Sequence, residues 1–450
     1  MLMQLKKQRI LVIGIGKTGM ASIRFMAGQG AHVIATDEKP FQELNVPVEE
    51  LDRMHGNVEL VRYDGNALSG VDMIIPSPGV PPSNFLLTEA VRRGIPILSE
   101  IELAFRYLKP PMIAITGTNG KTTTTTLIGK ILSEEGMPAF VGGNIGTPLI
   151  GYVDGKQDDD HVVVEVSSFQ LQWIQHFHPH ISILLNTTCD HVDYHGTFEA
   201  YRATKERIFE NQTERDFAIL NWDGPPSATL TDRLKAGILL FSTSMRVTGG
   251  MFLDGNRLAY HSLNGAREDY PLDMIKIPGL HNVENVMAAI MAARLCGCSP
   301  ANIMKAVTSF RGIAHRIELV EGKKGVSFYD DSKGTNVGAV VRALESFSRP
   351  MILLLGGRDK EGDFETLSPI IKEKVKVLVL FGEARLRIND LIGGIVKTIP
   401  VATLGEAIEV AYGHAVTGDV VLLSPGCASF DEFSNYQERG NFFKDVVRNL

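Results

Sequence analysis

Short runs of valine, isoleucine and leucine alternate with longer amphipathic stretches along the whole chain. Eight of these runs are RILVIG, AHVIATD, MIAIT, VVVEV, ISILLN, MILLLGG, VLVLFG and VVLLS. An apolar run without polar alternation is typical of a strand buried on both faces, and strands separated by helices form βαβ units. The pattern therefore predicts an α/β protein on mostly parallel sheets. The Asp254-Gly255 turn inside MFLDGNRLAY adds a predicted antiparallel hairpin.

Two candidate domain boundaries, here called seams, interrupt this alternation. Lys109-Pro110-Pro111 precedes MIAIT, and proline disfavours helix in the residue before it. We therefore expect the first domain to end near residue 99, with IELAFRYL as a connecting helix. The second seam lies near Arg311-Gly312, where a helical stretch ends and RIELVEG begins.

The composition of the 450 residues excludes several classes of protein. Apolar residues make up 44 % and charged residues 22 %, as in ordinary globular proteins and unlike fibrous or disordered ones. The net charge of −7 gives no argument for a nucleic acid or an anionic membrane as partner. No stretch is long and apolar enough for a membrane span, the N-terminal run is interpreted as a strand and not a signal peptide, and the four cysteines form no C-x-x-C pair. We expect a cytoplasmic protein.

A glycine-rich turn follows the first predicted strand. Gly14, Gly16 and Gly19 fit G-x-G-x-x-G directly after RILVI, and Asp37 ends the next strand about 20 residues further on. Glycines allow a tight turn, and the N-terminus of the following helix offers free N–H groups to a diphosphate. The motif predicts a nucleotide site without distinguishing NAD from another diphosphate-linked nucleoside. The alternative is a glycine turn that serves only the close packing of the helix on the strand.

A second glycine loop, Gly117-Thr118-Asn119-Gly120-Lys121-Thr122, follows the strand MIAIT. In such a loop the backbone N–H groups surround phosphates, Lys121 reaches the β and γ oxygens, and the Thr122 hydroxyl binds Mg²⁺. Five threonines, 122–126, open the next helix although β-branched residues are mediocre helix formers. A broken local rule beside a phosphate loop is typical of a functional site, and we predict ATP binding here.

Polar residues follow several other predicted strands, at the edge where parallel sheets bind ligands. Glu165 ends VVVEV, where a carboxylate can hold Mg²⁺. ISILLN ends at Asn186 and leads into a polar cluster, which indicates metal or phosphate binding or else a solvated loop with capping residues. Its members are Thr187, Thr188, Asp190, His191, Asp193 and His195.

Spacing alone leaves other residues less specific. Lys205, in the amphipathic YRATKERIFEN, is expected on a solvated helix face, and Asn282 and Asn285 either cap a helix or contact a base. Carboxylate, lysine and hydroxyl groups follow three strands of the last third of the chain, which predicts a polar substrate site. They lie in DDSKGTN, LLLGGRDK and LLSPGCASFDEF.

Taken together, nine segments resemble Mur ligases, in the order found in that family and over essentially the whole chain. They are GTNGKT with its threonine tail, VVVEVSSFQL, LNTTCDHVDYHG, YRATKERIFEN, HNVEN, AHRIE, DDSKGTN, LLLGGRDK and LSPGCASFDEF. The chain is most similar to the members that join D-glutamate to UDP-N-acetylmuramoyl-L-alanine. The resemblance implies three domains: a Rossmann-like domain over 1–99 for the UDP substrate, a central P-loop ATPase domain over 100–312, and a Rossmann-like domain over 313–450 for the incoming amino acid.

The resemblance also implies a reaction. ATP phosphorylates the terminal carboxylate of the UDP substrate, and the amine of D-glutamate attacks the acyl phosphate, in cytoplasmic peptidoglycan precursor synthesis. The implied cofactors are ATP and two Mg²⁺ ions, without NAD. A monomer suffices for this chemistry.

Individual roles follow from the same resemblance. Lys121, Asn144, His191 and Lys205 would be catalytic, with Lys205 carbamylated to an anionic magnesium ligand. Metal ligands would be Thr122, Glu165, His191 and Lys205. ATP would contact Gly117, Thr118, Asn119, Gly120, Lys121, Thr122, Thr123, Asn282, Asn285, Arg316 and Asp331. The UDP substrate would contact Gly16, Lys17, Thr18, Gly19, Asp37, Ser77 and Gly79, and D-glutamate would contact Lys333, Thr335, Lys360, Ser429 and Tyr436.

Three alternatives differ in what they leave unexplained. A folylpolyglutamate synthase shares the P-loop but is not expected to carry the first glycine turn with Asp37. A dinucleotide-dependent oxidoreductase uses that turn and leaves the P-loop and Glu165 without a role. A regulatory ATP-binding protein would bind ATP without turnover stimulated by an amino acid.

Overall fold

A computed structural model describes residues 3–40, 43–44, 57–188, 190, 192–224, 230–359 and 362–450. All eight predicted strands are present in it, as is the hairpin at Asp254-Gly255. The strands are β1 Arg9–Ile13, β2 His32–Thr36, β3 Val58–Leu60, β4 Met73–Pro76, β5 Met112–Thr116, β6 Ala139–Gly143, β7 His161–Glu165, β8 Ile181–Leu184, β9 Phe217–Asn221, β10 Gly237–Ser242, β11 Gly250–Asp254, β12 Arg257–His261, β13 Arg267–Pro271, β14 Glu318–Lys323, β15 Val326–Asp330, β16 Met351–Gly356, β17 Val375–Phe381, β18 Lys397–Pro400 and β19 Val420–Gly426.

Helices connect most of the parallel strands. The α-helices are α1 Lys17–Gly28, α2 Phe85–Arg93, α3 Glu100–Phe105, α4 Lys121–Glu135, α5 Leu149–Val153, α6 Ser168–Leu171, α7 Val192–His195, α8 Phe198–Glu206, α9 Leu280–Leu295, α10 Pro300–Ser309, α11 Val337–Glu345, α12 Ser368–Lys374, α13 Arg385–Ile392, α14 Leu404–His414 and α15 Tyr436–Asn449. Short 3₁₀ turns lie at Gly65–Leu68, Arg207–Phe209, Leu272–Met274 and Phe364–Leu367.

The strands form three sheets. The first has the order β3-β2-β1-β4 and is parallel throughout. The second has the order β13-β12-β11-β10-β9-β8-β5-β7-β6, and within it only the pairs made by β12 are antiparallel. The third has the order β14-β15-β19-β16-β17-β18, with β14 antiparallel to β15. The α/β class with a small antiparallel part is therefore confirmed.

Both predicted phosphate loops begin where the strand order of a sheet reverses. The first follows β1, which lies between β2 and β4, and the second follows β5, which lies between β8 and β7. The helices that leave adjacent strands at such a point turn away from each other and open a crevice at the carboxyl ends of the strands. The sheet topology therefore places each loop at the edge of an open crevice.

Contacts within the chain divide it into two compact units. The first comprises residues 1–274 and 283–308 and contains the first two sheets, whose buried residues share one apolar cluster that includes Val12, Met73 and Ala114. The second comprises residues 275–282 and 309–450 and contains the third sheet. The domain limits at residues 99 and 312 stay a prediction. Among the described helices, none has the length and apolar character of a membrane span.

Two buried carboxyl groups on the short helix α3 hold the first unit together in different ways. The Glu102 carboxylate accepts the backbone N–H groups of residues 175–177 at 2.8–2.9 Å and the Arg106 guanidinium at 2.8 Å. The Glu100 carboxyl accepts the N–H of Ile150 at 2.7 Å, while its second oxygen is buried without a hydrogen-bond partner. Burial raises the pKa of the Glu100 carboxyl from its ordinary value of 4.5 to about 7.

We expect Glu100→Gln to flatten the dependence of stability on pH. Between pH 4.5 and 7 the folded chain retains a proton at Glu100 that the unfolded chain has released. The free energy of unfolding therefore falls as the pH rises through this window, by up to about 1.4 kcal/mol per pH unit from this group. Glutamine has no such proton, so the variant gains stability relative to the parent as the pH rises. Urea denaturation at pH 5, 6, 7 and 8 measures the difference.

Glu102→Gln is the matched control on the same helix. It leaves the half-buried guanidinium of Arg106 with a weaker partner and weakens the acceptor of three backbone N–H groups. We expect it to destabilise the protein by about 3 kcal/mol at every one of these pH values. A Glu100→Gln profile parallel to that of the parent protein contradicts the assignment.

Candidate active site

The first glycine turn is held from two neighbouring strands. Gly14 has φ +89°, and a Cβ on it would lie 2.9 Å from the Cβ of Ser77, so only glycine fits there. Asp37, just after β2, accepts the N–H of Ile15 at 2.7 Å, and the Ser77 hydroxyl, just after β4, donates to the carbonyl of Gly14 at 2.6 Å. A Cβ on Gly19 would lie 2.0 Å from the same carbonyl. Asp37 and Ser77 therefore fix the shape of the turn.

A cavity of about 950 Å³ opens beside this turn. Gly16, Lys17 and Asp37 line it on one side, and Thr147 and Pro148 line it on the other. Its volume is at the upper end of the range for small-molecule sites and suits a nucleoside diphosphate. The Lys17 ammonium donates to the carbonyl of Gly146 at 2.6 Å and so connects the turn to the segment after β6. Of the other residues predicted for this site, Thr18 lies in the first turn of α1, and a Cβ added to Gly79 would meet no described atom within 4 Å.

The second glycine loop has the geometry of a phosphate loop. Gly117 and Gly120 have φ +152° and +84°, and a Cβ on Gly120 would lie 2.0 Å from Oδ1 of Asn285. Asn186, after β8, accepts the N–H of Asn119 at 2.9 Å and donates to its carbonyl at 3.1 Å. α4 begins at Lys121, and no side chain of the described residues caps it at Gly120. The N-terminus of a helix is a typical binding site for an anion.

Two lysines lie against this loop. The ammonium groups of Lys121 and Lys205 donate to the same carbonyl, that of Gly117, at 2.8 and 3.0 Å. Lys205 is only 1 % exposed, so the expectation of a solvated helix face was wrong. Burial, followed by the charge of Lys121, lowers the pKa of Lys205 well below its ordinary value. The Lys205 ammonium lies 4.6 Å from the ring centre of Tyr201, whose hydroxyl is 3.2 Å from that of Thr118.

Glu165 connects the phosphate loop with the residues after β6. Its carboxylate accepts the Thr122 hydroxyl at 2.7 Å and the Asn144 amide at 2.8 Å, and its backbone carbonyl accepts the N–H of Asn144 at 2.9 Å. Thr122 and Thr123 are buried in the first turn of α4, and the hydroxyl of Thr187 is buried without a hydrogen-bond partner among the described residues. Hydroxyl and carboxylate oxygens are the ligands that Mg²⁺ prefers, so the residues present fit this ion.

The other predicted residues of this part of the chain are distributed differently. Asn285 lies over the phosphate loop, with its Oδ1 3.4 Å from the Thr124 hydroxyl. The Asn282 amide donates to the carbonyl of Pro278 at 2.6 Å. His191 and Lys360 lie outside the described residues.

Within the second unit, the predicted residues collect after β15 and β19. Asp331 accepts the Ser424 hydroxyl at 2.8 Å, and burial raises the pKa of its carboxyl to about 7. Lys333 places its ammonium 5.1 Å from the ring centre of Tyr436. Thr335 follows in the same loop, just before α11, and Ser429 is buried in the loop after β19. Arg316 lies just before β14.

Sequence reasoning missed two residues that organise these groups. Tyr201 lies one helical turn before Lys205, and that i, i+4 spacing was a usable signal. Arg439 on α15 is fully buried and donates to the carbonyls of Ser332, Cys427 and Ala428 at 2.8–3.1 Å. It therefore fixes the loop after β15 against the loop after β19, an arrangement that no local pattern indicates.

Two phosphate-type loops at the carboxyl edges of parallel sheets define a nucleotide-binding α/β protein of the P-loop class. Three family models match the chain: "Mur ligase MurD-like, N-terminal domain" over residues 8–99, "Mur ligase middle domain" over 115–293, and "Mur ligase, glutamate ligase domain" over 315–427. The chain belongs to the Mur ligase family.

Relatives and solved structures agree with this assignment. UDP-N-acetylmuramoylalanine–D-glutamate ligase of Syntrophus aciditrophicus is 60 % identical over 447 residues, 99 % of both chains. The enzyme of the same name from Koribacter versatilis is 43 % identical over 448 residues, 100 % of this chain and 99 % of the relative. In fold alone, a pseudomurein peptide ligase type C of Methanothermus fervidus matches with a TM-score of 0.60 and 17 % identity, over 98 % of this chain and 100 % of that one. UDP-N-acetylmuramate-alanine ligase of Thermotoga maritima has a TM-score of 0.58 and 18 % identity, over 98 % and 99 %.

Proposed function

We propose that this chain joins D-glutamate to UDP-N-acetylmuramoyl-L-alanine with the hydrolysis of ATP to ADP and phosphate. The observation that carries the proposal is the presence of two phosphate-type loops in one compact unit. Lys17 of the first loop contacts the segment after β6, and Asn144 of that segment is hydrogen-bonded to Glu165 beside the second loop. A dehydrogenase needs only the first loop, and a folylpolyglutamate synthase needs only the second. A ligase that joins an amino acid to a UDP-linked substrate uses both. The names of the relatives supply the two substrates.

The reaction takes place in two steps. A carboxylate oxygen of the UDP substrate attacks the γ-phosphorus of ATP, and the bond to the β,γ-bridging oxygen breaks to release ADP. The neutral amine of D-glutamate then attacks the acyl-phosphate carbon; the tetrahedral intermediate loses phosphate, the nitrogen loses a proton, and an amide remains. The attacking groups are aligned by the loops, so catalysis is mostly positioning and electrostatic stabilisation.

The side chains near the phosphate loop contribute to these two reaction steps in different ways. The N–H groups of the loop and of the first turn of α4 bind the phosphates, and Lys121 neutralises charge on them. Asn144, oriented by Glu165, donates an amide N–H towards the acyl phosphate. Thr122 and Glu165, together with His191 and Lys205, would hold two Mg²⁺ ions. Bound Mg²⁺ reduces the repulsion between the phosphates and the attacking carboxylate.

Lys205 is a magnesium ligand only after carbamylation. Its neutral amine attacks carbon dioxide, an N–C bond forms, one proton leaves the nitrogen, and an anionic carboxylate results. Burial supports this assignment, because it lowers the pKa of Lys205 and so favours the neutral amine. The ring of Tyr201 and the carbonyl of Gly117 hold the amine in place.

The remaining ligands are assigned by the same reasoning from the family. Asn282, Asn285, Arg316 and Asp331 contact ATP; Asp37 and Ser77 shape the turn that binds the UDP group. D-Glutamate is bound by Lys333, Thr335, Lys360, Ser429 and Tyr436. We place the enzyme in the cytoplasm, where ATP and UDP-linked precursors are available, and propose that it acts as a monomer.

The test is phosphate release with Mg²⁺, ATP and UDP-N-acetylmuramoyl-L-alanine across a panel of L- and D-amino acids. We expect turnover that requires D-glutamate, with ADP and one amide product formed in equal amounts. Turnover with another amino acid contradicts the assignment of the glutamate site, and ATP binding without turnover contradicts the ligase activity. Turnover with a folate substrate instead of the UDP substrate favours the folylpolyglutamate synthase alternative.

A further inference from the structure

The backbone around Arg316 has an unusual conformation. His315 and Ile317, on either side of Arg316, have φ +64° and +46°. Residues other than glycine rarely adopt positive φ, and for a β-branched residue such as isoleucine it is a clear outlier. Such conformations persist only where the surrounding structure imposes them, and they concentrate at functional sites. The surrounding structure must therefore impose the backbone conformation of residues 315–317.

A buried network of charged groups imposes this conformation. The His315 ring lies with its Nδ1 2.6 Å from Oδ2 of Asp330, and the N–H of His315 donates to Oε2 of Glu318 at 2.9 Å. The Lys444 ammonium, from α15, lies 2.5 Å from the same Glu318 oxygen and 4.0 Å from Oδ2 of Asp330. His315, Asp330 and Lys444 are each less than 10 % exposed. The Lys444 ammonium faces both carboxylates and offsets part of their negative charge.

The segment around His315 also contacts residues assigned to the proposed ligand sites. Its carbonyl accepts the N–H of Lys333 at 3.1 Å, and its ring meets the ring of Tyr436 edge to face at 6.1 Å between centres. The N–H of Ile317 donates to Oδ1 of Asp331 at 3.3 Å. One strained segment thus contacts two residues assigned to D-glutamate and one assigned to ATP, and it carries Arg316.

The approach of α15 to this segment depends on Gly440. A Cβ on Gly440 would lie 2.1 Å from Nδ1 of His315 and 2.7 Å from Oδ2 of Asp330. α15 therefore packs directly on the network at the point where it brings in Tyr436 and Lys444.

We propose that the network of His315, Glu318, Asp330 and Lys444 positions the ATP-binding and the D-glutamate-binding residues of the second unit together. None of these four side chains is a catalytic residue in this assignment. They act through Arg316, Asp331, Lys333 and Tyr436, whose backbone and rings they hold. The inference rests on the proposed function, because it takes from it the ligands of those four residues.

Lys444→Met is the principal variant, since methionine retains most of the apolar stem and removes the ammonium. It leaves Glu318 and Asp330 as unbalanced carboxylates, and their repulsion displaces the segment 315–318. We expect the KM values for ATP and for D-glutamate to rise together, each about tenfold, while the KM for the UDP substrate changes less than twofold. A purely structural role would lower the amount of active enzyme and leave all three KM values unchanged.

Two further variants make the test specific. Lys323→Met is the matched control in the same unit, because the Lys323 ammonium donates only to the carbonyls of Arg448 and Leu450 in the contacts described for it. It is expected to keep the parent KM values. Glu318→Gln in the Lys444→Met background removes the excess negative charge and retains an acceptor for the N–H of His315. We expect it to restore both KM values to within about threefold of the parent, as a double-mutant cycle reveals.

The outcomes distinguish a failure of the proposed function from a failure of the positioning role of the network. A parent enzyme without D-glutamate-dependent turnover overturns the proposed function and this inference with it. An active parent with a folded Lys444→Met variant whose KM values are unchanged overturns the inference alone, as does a rise in only one of the two values. If Lys444→Met does not fold, Glu318→Gln alone provides the measurement, with a parallel rise of about threefold expected in both KM values and unchanged values contradicting the network.

Discussion

Replacement of Lys205 by alanine or arginine is expected to lower D-glutamate-dependent turnover by a factor of about 10³ or more. Neither side chain can form a carbamate, so both variants lack the anionic ligand that we propose beside the phosphate loop. The arginine variant keeps the positive charge, so it also tests whether that charge alone supports turnover. Turnover is measured by phosphate release at saturating ATP, and ¹³C NMR of protein equilibrated with labelled bicarbonate detects the carbamate directly. We expect the carbamate resonance in the parent protein and its loss in both variants.

Lys235→Ala is the control for this pair, because Lys235 is an exposed lysine of the same unit. It should retain both the turnover and the carbamate resonance of the parent. Full activity of Lys205→Arg contradicts carbamylation as the function of this residue. A carbamate resonance that persists in Lys205→Ala shows that another amine carries the modification.

The burial of Lys205 illustrates where local sequence patterns fail. The periodicity of YRATKERIFEN places a lysine on a polar face, and a polar face normally lies in solvent. Here that face packs on the phosphate loop, about 88 positions earlier in the sequence, where the carbonyl of Gly117 accepts the ammonium. A helical pattern carries no information on tertiary contacts of this range, and only the family resemblance indicated the role that we propose for Lys205.

The strands and the phosphate loops were predictable for a physical reason. Strands buried on both faces need continuous apolar runs, and a loop that admits a phosphate needs glycine at positions such as Gly14 and Gly120, where a Cβ has no room. The order of the strands was not predictable, since it depends on crossovers and not on local composition. The hydrogen bond from Asn144 to Glu165 follows from that order, because β6 and β7 are neighbours.

The role of Asp37 was predicted only in part. Its position at the end of β2 follows from the spacing of a dinucleotide-binding unit. The structure adds that its carboxylate accepts the N–H of Ile15, so it shapes the turn as well as facing the cavity. Spacing gives the location of a side chain at a strand end, whereas its hydrogen-bond partner depends on the loop conformation.

Glu165→Gln is expected to lower turnover by a factor of about 10² to 10³, with little loss of stability. Glutamine keeps an oxygen that accepts the Asn144 amide, and the Thr122 hydroxyl can reverse to accept from the new amide group. The geometry of this buried contact is therefore preserved while its negative charge is removed. Because that charge is the proposed attraction for Mg²⁺, the Mg²⁺ concentration for half-maximal turnover should rise about tenfold or more. A titration of phosphate release against Mg²⁺ at fixed ATP measures both effects.

Glu134→Gln provides the comparison, because Glu134 lies on α4 in the same unit and pairs with Lys305 at the surface. It removes one carboxylate from the helix that carries the phosphate loop, yet we expect parent turnover and the parent Mg²⁺ requirement. If Glu165→Gln keeps the parent Mg²⁺ requirement while its turnover falls, the negative charge of Glu165 acts through its hydrogen bond with Asn144 and not on a metal ion. In that case the ions would have to be held by Thr122, His191 and Lys205 without it, and Asn144→Ala should then reproduce the loss seen in Glu165→Gln.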